Sequence, residues 1–134
     1  MEDIMNKVKI LLLIDAIAAF FFCFLYLIIT DIYLIDFSKW TYPDPYFPKA
    51  FGGTLLVLGI FALLAIRKEK WEQIKIFIEL VITWMMIIFI LNILELIFID
   101  LTFNYYLNTI IDSLVLAFLI ILNLYYYIKQ QNKL

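Results

Sequence analysis

The 134-residue chain contains no histidine, one cysteine, three glycines and three prolines, and only 16% of its residues are charged. Without histidine, haem and most zinc or copper sites lose their commonest ligand. Cys23, standing alone, can neither close an internal disulfide nor form a C-x-x-C pair, which excludes thiol–disulfide exchange within the chain. Gly52, Gly53 and Gly59 fit neither G-x-G-x-x-G nor G-x-x-x-x-G-K, so no phosphate cradle is encoded. A net charge of −2 with scattered basic residues argues against nucleic acid as a partner. No nucleophile–base pair stands out either. No cofactor and no metal are called for.

What is present is apolar. Hydrophobic residues make up 66% of the chain and the mean hydropathy is +1.02, whereas a soluble domain carries about 25% charge. Four apolar runs fill most of the length, at about 10–29, 50–66, 76–99 and 106–128. About 20 residues at 1.5 Å each cross a bilayer core of about 30 Å. The expected fold is therefore all-α, a single domain forming a membrane-embedded antiparallel four-helix bundle. The first run is too long for a signal-peptide core and lacks a small-x-small cleavage site, so it is expected to remain as a span.

Charge sets the expected orientation. Lys7, Lys9, Arg67, Lys68, Lys70, Lys75, Lys129 and Lys133 flank one side of the runs, and only Lys39 and Lys49 flank the other. The positive-inside rule then places both termini and the 67–75 loop in the cytoplasm, and the expected location is the plasma membrane of a prokaryote. The connection Thr30–Lys49 carries Trp40, Tyr42, Tyr46 and Phe47 around Pro43, Pro45 and Pro48. Its prolines predict an extended or turning surface segment rather than helix. Trp71, Tyr105, Tyr106 and Tyr125–Tyr127 fall where aromatic belts meet headgroups.

Helices in lipid associate by close packing and polar contacts. Gly52 and Gly59 are seven apart and share one face of span 2. Asp15, Ala18, Ala19, Phe22 and Tyr26 form a strip on span 1, with Asp15 and Tyr26 eleven apart. The expectation is that the Ala18/Ala19 face packs against the glycine face.

Four acids lie within the runs, Asp15, Glu79, Glu95 and Asp112, and each costs a few kcal/mol if charged at mid-bilayer. Asp15, Glu79 and Asn123 fall at one depth and suggest an inner polar layer, with Glu79 also within ion-pair reach of Lys75 at i,i+4. Asn92 and Glu95 share a face of span 3, with Trp84 eleven residues earlier on the same side, and Asn108 and Asp112 share a face of span 4. The short loop between these spans makes Glu95 and Asp112 neighbours. Two such carboxyls in low dielectric cannot both ionise cheaply, and a shared proton or bound cation would relieve the strain. The ligand- or ion-binding candidates are thus Glu95, Asp112, Asn92 and Asn108.

Phe47–Glu72, with its proline–aromatic lead-in, G-G-x-L-L-x-L-G core and basic exit, resembles the second helix of small four-helix membrane proteins of the DoxX-like kind. That resemblance implies a small four-span membrane protein and carries no functional residue with it. The first functional expectation is a non-enzymatic, structural or accessory membrane protein. Its partners would be the bilayer and either a second copy or another membrane protein. The alternatives are a small proton- or cation-coupled transporter using the intramembrane acids, and a lipid-modifying enzyme.

Overall fold

The structure is a computed structural model, and it describes residues 2–39 and 46–133. Among these residues every regular element is helical. Helix α1 spans Glu2–Cys23 and runs into two wider π-helical stretches, Phe24–Ile28 and Ile32–Phe37; α2 spans Tyr46–Ile66, α3 Trp71–Phe98 and α4 Phe103–Gln131. Among the described residues four segments are long and apolar enough to cross a membrane, as a multi-pass membrane protein requires: Met5–Ile28, Tyr46–Ile66, Trp71–Phe98 and Phe103–Gln131. Ile10, Ile17, Phe21, Ile60, Ile90 and Ile121 all lie exposed on the outside of the bundle. Such faces suit lipid, not water.

The helices are longer than the apolar runs. At 1.5 Å per residue the 28 residues of α3 reach about 42 Å, whereas the 21 of α2 reach about 31 Å. Helix α2 also starts earlier than the prolines led us to expect. Pro48 is its third residue and is buried. In a first turn the missing N–H has no intrahelical acceptor to lose, so proline is tolerated there. The expected surface segment is further shortened by the π-helical stretch Ile32–Phe37, which ends beside Lys39 at a φ of 56°. Trp40, Tyr42, Pro43 and Pro45 lie outside the described residues.

Helix α1 packs against α2 and α4, and α3 packs against α4 and, less extensively, α2. The core gathers at one end, the basal end, where Val8 and Leu12 of α1, Ala65 of α2, Ile74 and Ile78 of α3 and Tyr126 and Tyr127 of α4 form one cluster. Trp71 belongs to this cluster and not to a surface belt: it is buried, its Nε1–H donates to Gln131 Oε1 at 3.2 Å, and its ring packs on Tyr127. The distal end is tied by polar contacts. Thr102 caps α4 by accepting from the Tyr105 N–H, and its hydroxyl donates to the Ser38 carbonyl at 3.0 Å.

The glycines mark the α1–α2 seam. A Cβ on Gly52 would stand 2.9 Å from the backbone nitrogen of Leu27, and one on Gly59 would stand 2.9 Å from the Phe20 ring. The glycine face therefore meets Phe20 and the Tyr26–Leu27 backbone, not Ala18 and Ala19. Those two alanines turn to the interior and line its cavity. The reason is bulk: a phenyl ring fills the groove that a glycine leaves, while small alanines leave space on the other side.

A candidate solute site between the helices

A cavity of about 360 Å³ runs through the interior. Helix α1 and the π-helical turn after it contribute Asp15, Ala18, Ala19, Phe22 and Tyr26, the whole strip read from its spacing. Helix α2 adds Phe47, Phe51 and Leu58; α3 adds Trp84, Asn92 and Glu95; α4 adds Tyr105, Asp112 and Leu116. Most of the wall is aliphatic or aromatic. Phe51 and Trp84 stack across it with centroids 5.8 Å apart and planes 17° from parallel. Among the described residues, three carboxyls enter this space and no lysine or arginine lines it.

Each carboxyl meets a neighbour from another helix or turn. Tyr105 donates its hydroxyl to Glu95 Oε1 at 3.2 Å, bridging the short α3–α4 connection. The Tyr26 hydroxyl, from the π-helical turn after α1, faces the Asp112 carboxyl, and Glu95 is near enough to act on Asp112 by charge. Widened π turns recur at functional sites because they re-aim a side chain. Here the turn brings Tyr26 beside Asp112. At the other end, Asn123 Nδ2 donates to Asp15 Oδ1 at 3.1 Å and to the Leu119 carbonyl at 3.0 Å. Asp15 Oδ2 and Asn123 Oδ1 are buried without a partner.

The structure thus brings Glu95, Asp112 and Asn92 to one cavity, with Asp15 at its far end. Asn108 is elsewhere. Its Nδ2 donates to Ser38 Oγ at 2.6 Å, and Ser38 in turn donates to the Tyr33 carbonyl at 2.8 Å. Asn108 therefore ties α4 to the second π-helical stretch, because it lies one turn before Asp112 and beyond the cavity mouth. Glu79 also separates from Asp15 and Asn123. It sits exposed on α3 and accepts from the Tyr127 hydroxyl, so the expected inner layer reduces to the Asp15–Asn123 pair. That tyrosine contact takes the place of the Lys75 ion pair.

Sequence reasoning missed Tyr26 and Tyr105 as partners of the acids, having assigned them to a helix strip and a membrane belt. The eleven-residue spacing of Asp15 and Tyr26 on α1 matches that of Asp112 and Asn123 on α4. That match was the available signal. No protein-family model, curated protein or solved structure matches the chain significantly.

Proposed function

We propose that the chain is a multi-pass integral membrane protein of four antiparallel helices, both termini cytoplasmic, that binds a cationic, largely apolar solute inside its bundle as a small carrier would. The observation that carries this reading is the joint placement of Asp15, Glu95 and Asp112 around one apolar cavity that, among the described residues, no basic side chain lines. A carboxylate in low dielectric needs a proton or a cation close by. An ammonium supplies both charge and N–H donors, and aromatic walls such as Phe22, Phe51 and Trp84 suit the hydrocarbon that carries it. A purely structural or accessory role would favour a filled interior, since empty space forfeits the packing that holds helices together in lipid.

The test compares two chains of one length and opposite charge. Protein in nanodiscs is titrated with dodecylamine and with dodecanoate, and binding to empty nanodiscs is subtracted. The amine should bind in excess and the carboxylate should not, with the excess lost in Glu95→Gln/Asp112→Asn. Equal binding of the two probes would overturn the cationic reading.

A further inference from the structure

We propose that the solute is a bis-cation, an elongated α,ω-diamine held by a carboxyl at each end of the cavity. This rests on the cationic reading above and adds a second charge and a length. The first span and α4 face each other at two polar rungs: Asn123 donates to Asp15, and Tyr26 stands beside Asp112. Asp15 and Tyr26 are eleven residues apart on the first span, and Asp112 and Asn123 are eleven apart on α4. At 1.5 Å per residue along α4 the rungs lie about 16 Å apart. Both carboxyls line the same cavity, and the wall between them on these helices is Ala18, Ala19, Phe22, Val115, Leu116 and Leu119. Nothing polar interrupts it.

Each end asks for a donor that the protein does not supply. Asp15 is 7% exposed and its Oδ2 is unpartnered. Asn123 cannot complete it, because both N–H groups of its amide are spent on Asp15 Oδ1 and the Leu119 carbonyl. A buried acceptor left unpaired costs the full desolvation of that group. At the other end Glu95, which accepts from Tyr105, and Asp112, which Tyr26 faces, bring two acids together, with no lysine or arginine at the cavity among the described residues. A single ammonium answers one end and leaves the other. A short diamine cannot reach both, and a long polyamine would strand its inner charges against Phe22 and Leu119. An ammonium at each end of a hydrocarbon spacer completes both.

The experiment uses the whole protein in nanodiscs and three probes: dodecanediamine, whose extended length suits the rung spacing, dodecylamine and butanediamine. Dodecanediamine should bind about tenfold more tightly than dodecylamine, the worth of one further charge-assisted hydrogen bond. Butanediamine should bind more weakly than either. Asp15→Asn should erase the advantage of the diamine, bringing dodecanediamine to the affinity of dodecylamine measured on the same variant. Should that variant fail to fold, a spacer-length series of diamines on the wild type decides alone, with affinity peaking where the spacer matches the rungs. Dodecanediamine binding no more tightly than dodecylamine overturns the bis-cation and leaves the cationic site standing. Dodecylamine binding no more tightly than dodecanoate overturns both.

Discussion

The two ends of this bundle are built on different principles. At the basal end the helices close on one another through side chains, and Leu12, Ile74 and Ile78 are wholly buried. At the distal end the close seam of Gly52 on Leu27, the buried Leu34 and a few hydrogen bonds hold the segments, and the interior between them is left open. Helix α3 shows the change most clearly. Its buried residues run from Trp71 to Met85, and from Met86 to Phe98 none is buried. Length accounts for part of this. From the stacked pair Phe51–Trp84, α2 continues only to Tyr46, while α3 continues to Phe98. The distal half of α3 therefore outruns the helix that would cover it. The packed half fixes the positions of the helices, and the open half can hold a solute because it does not have to.

The sharpest test of this division lies at Gly52, where the α1–α2 seam passes from the packed half to the open one. A Cβ there meets backbone, 2.9 Å from the Leu27 nitrogen and 3.1 Å from the Tyr26 carbonyl carbon, while one on Gly53 meets nothing within 4 Å. Backbone cannot rotate aside as a side chain can. Gly52→Ala should therefore destabilise by about 3 kcal/mol, the upper end of overpacking costs. Gly53→Ala should be neutral or slightly stabilising because alanine favours helix. Reversible unfolding in mixed micelles measures both, and equal effects would break the seam as described.

Core truncation comes next in size. Ile78 is fully buried, whereas Ile90, twelve residues further along the same helix, is 53% exposed. In lipid the transfer part of the cost largely falls away and the packing part remains, so Ile78→Ala should cost about 2 kcal/mol. Ile90→Ala should change stability by less than about 0.5 kcal/mol. Similar losses at the two positions would mean that the distal half is as tightly packed as the basal one.

Much of this arrangement was legible in the sequence, and the limit of legibility has a physical cause. Helical periodicity acts within one segment. It grouped Asp15, Ala18, Ala19, Phe22 and Tyr26 on one face, and Trp84 with Glu95 on another, and these residues do line one cavity. The length of the apolar runs likewise located four spans. Which face meets which depends on side-chain volume across the interface, and no periodicity reports it. The strip on α1 was expected to pack on α2, yet Phe20 occupies that groove. Proline was misread for a related reason. Its cost depends on whether an N–H would have been used, and at Pro48, the third residue of α2, it would not. Asn108 and Glu79 were drawn toward the other polar groups by their depth alone, while Ser38 and Tyr127 claim them.

A smaller effect is expected at the rung nearer the packed half. Asn123 is fully buried, and its amide is the donor to Asp15 Oδ1. Asn123→Ala removes that donor and leaves the whole carboxyl without a partner, which should cost about 1–2 kcal/mol. Asn123→Asp would set a second acid beside Asp15 and should be worse than alanine, because like charges at low dielectric repel. The same unfolding assay ranks the two. If alanine proved the more damaging, the site would be dominated by lost volume and not by the unmet acceptor.

The smallest stability change is expected where the functional change is largest, at Glu95. Its Oε1 accepts from Tyr105, and a glutamine can accept the same hydrogen bond. Glu95 is only half-buried in the open half, so Glu95→Gln should leave stability within about 0.5 kcal/mol of wild type. Charge is what the substitution removes. An ammonium at the cavity mouth would lose one charge-assisted partner, and dodecylamine should bind about tenfold more weakly. A structural acid would show the opposite pattern, with stability lost or gained and amine binding unmoved. Separating the two readouts at one residue decides whether the open half is spared packing in order to bind, or is merely less well filled.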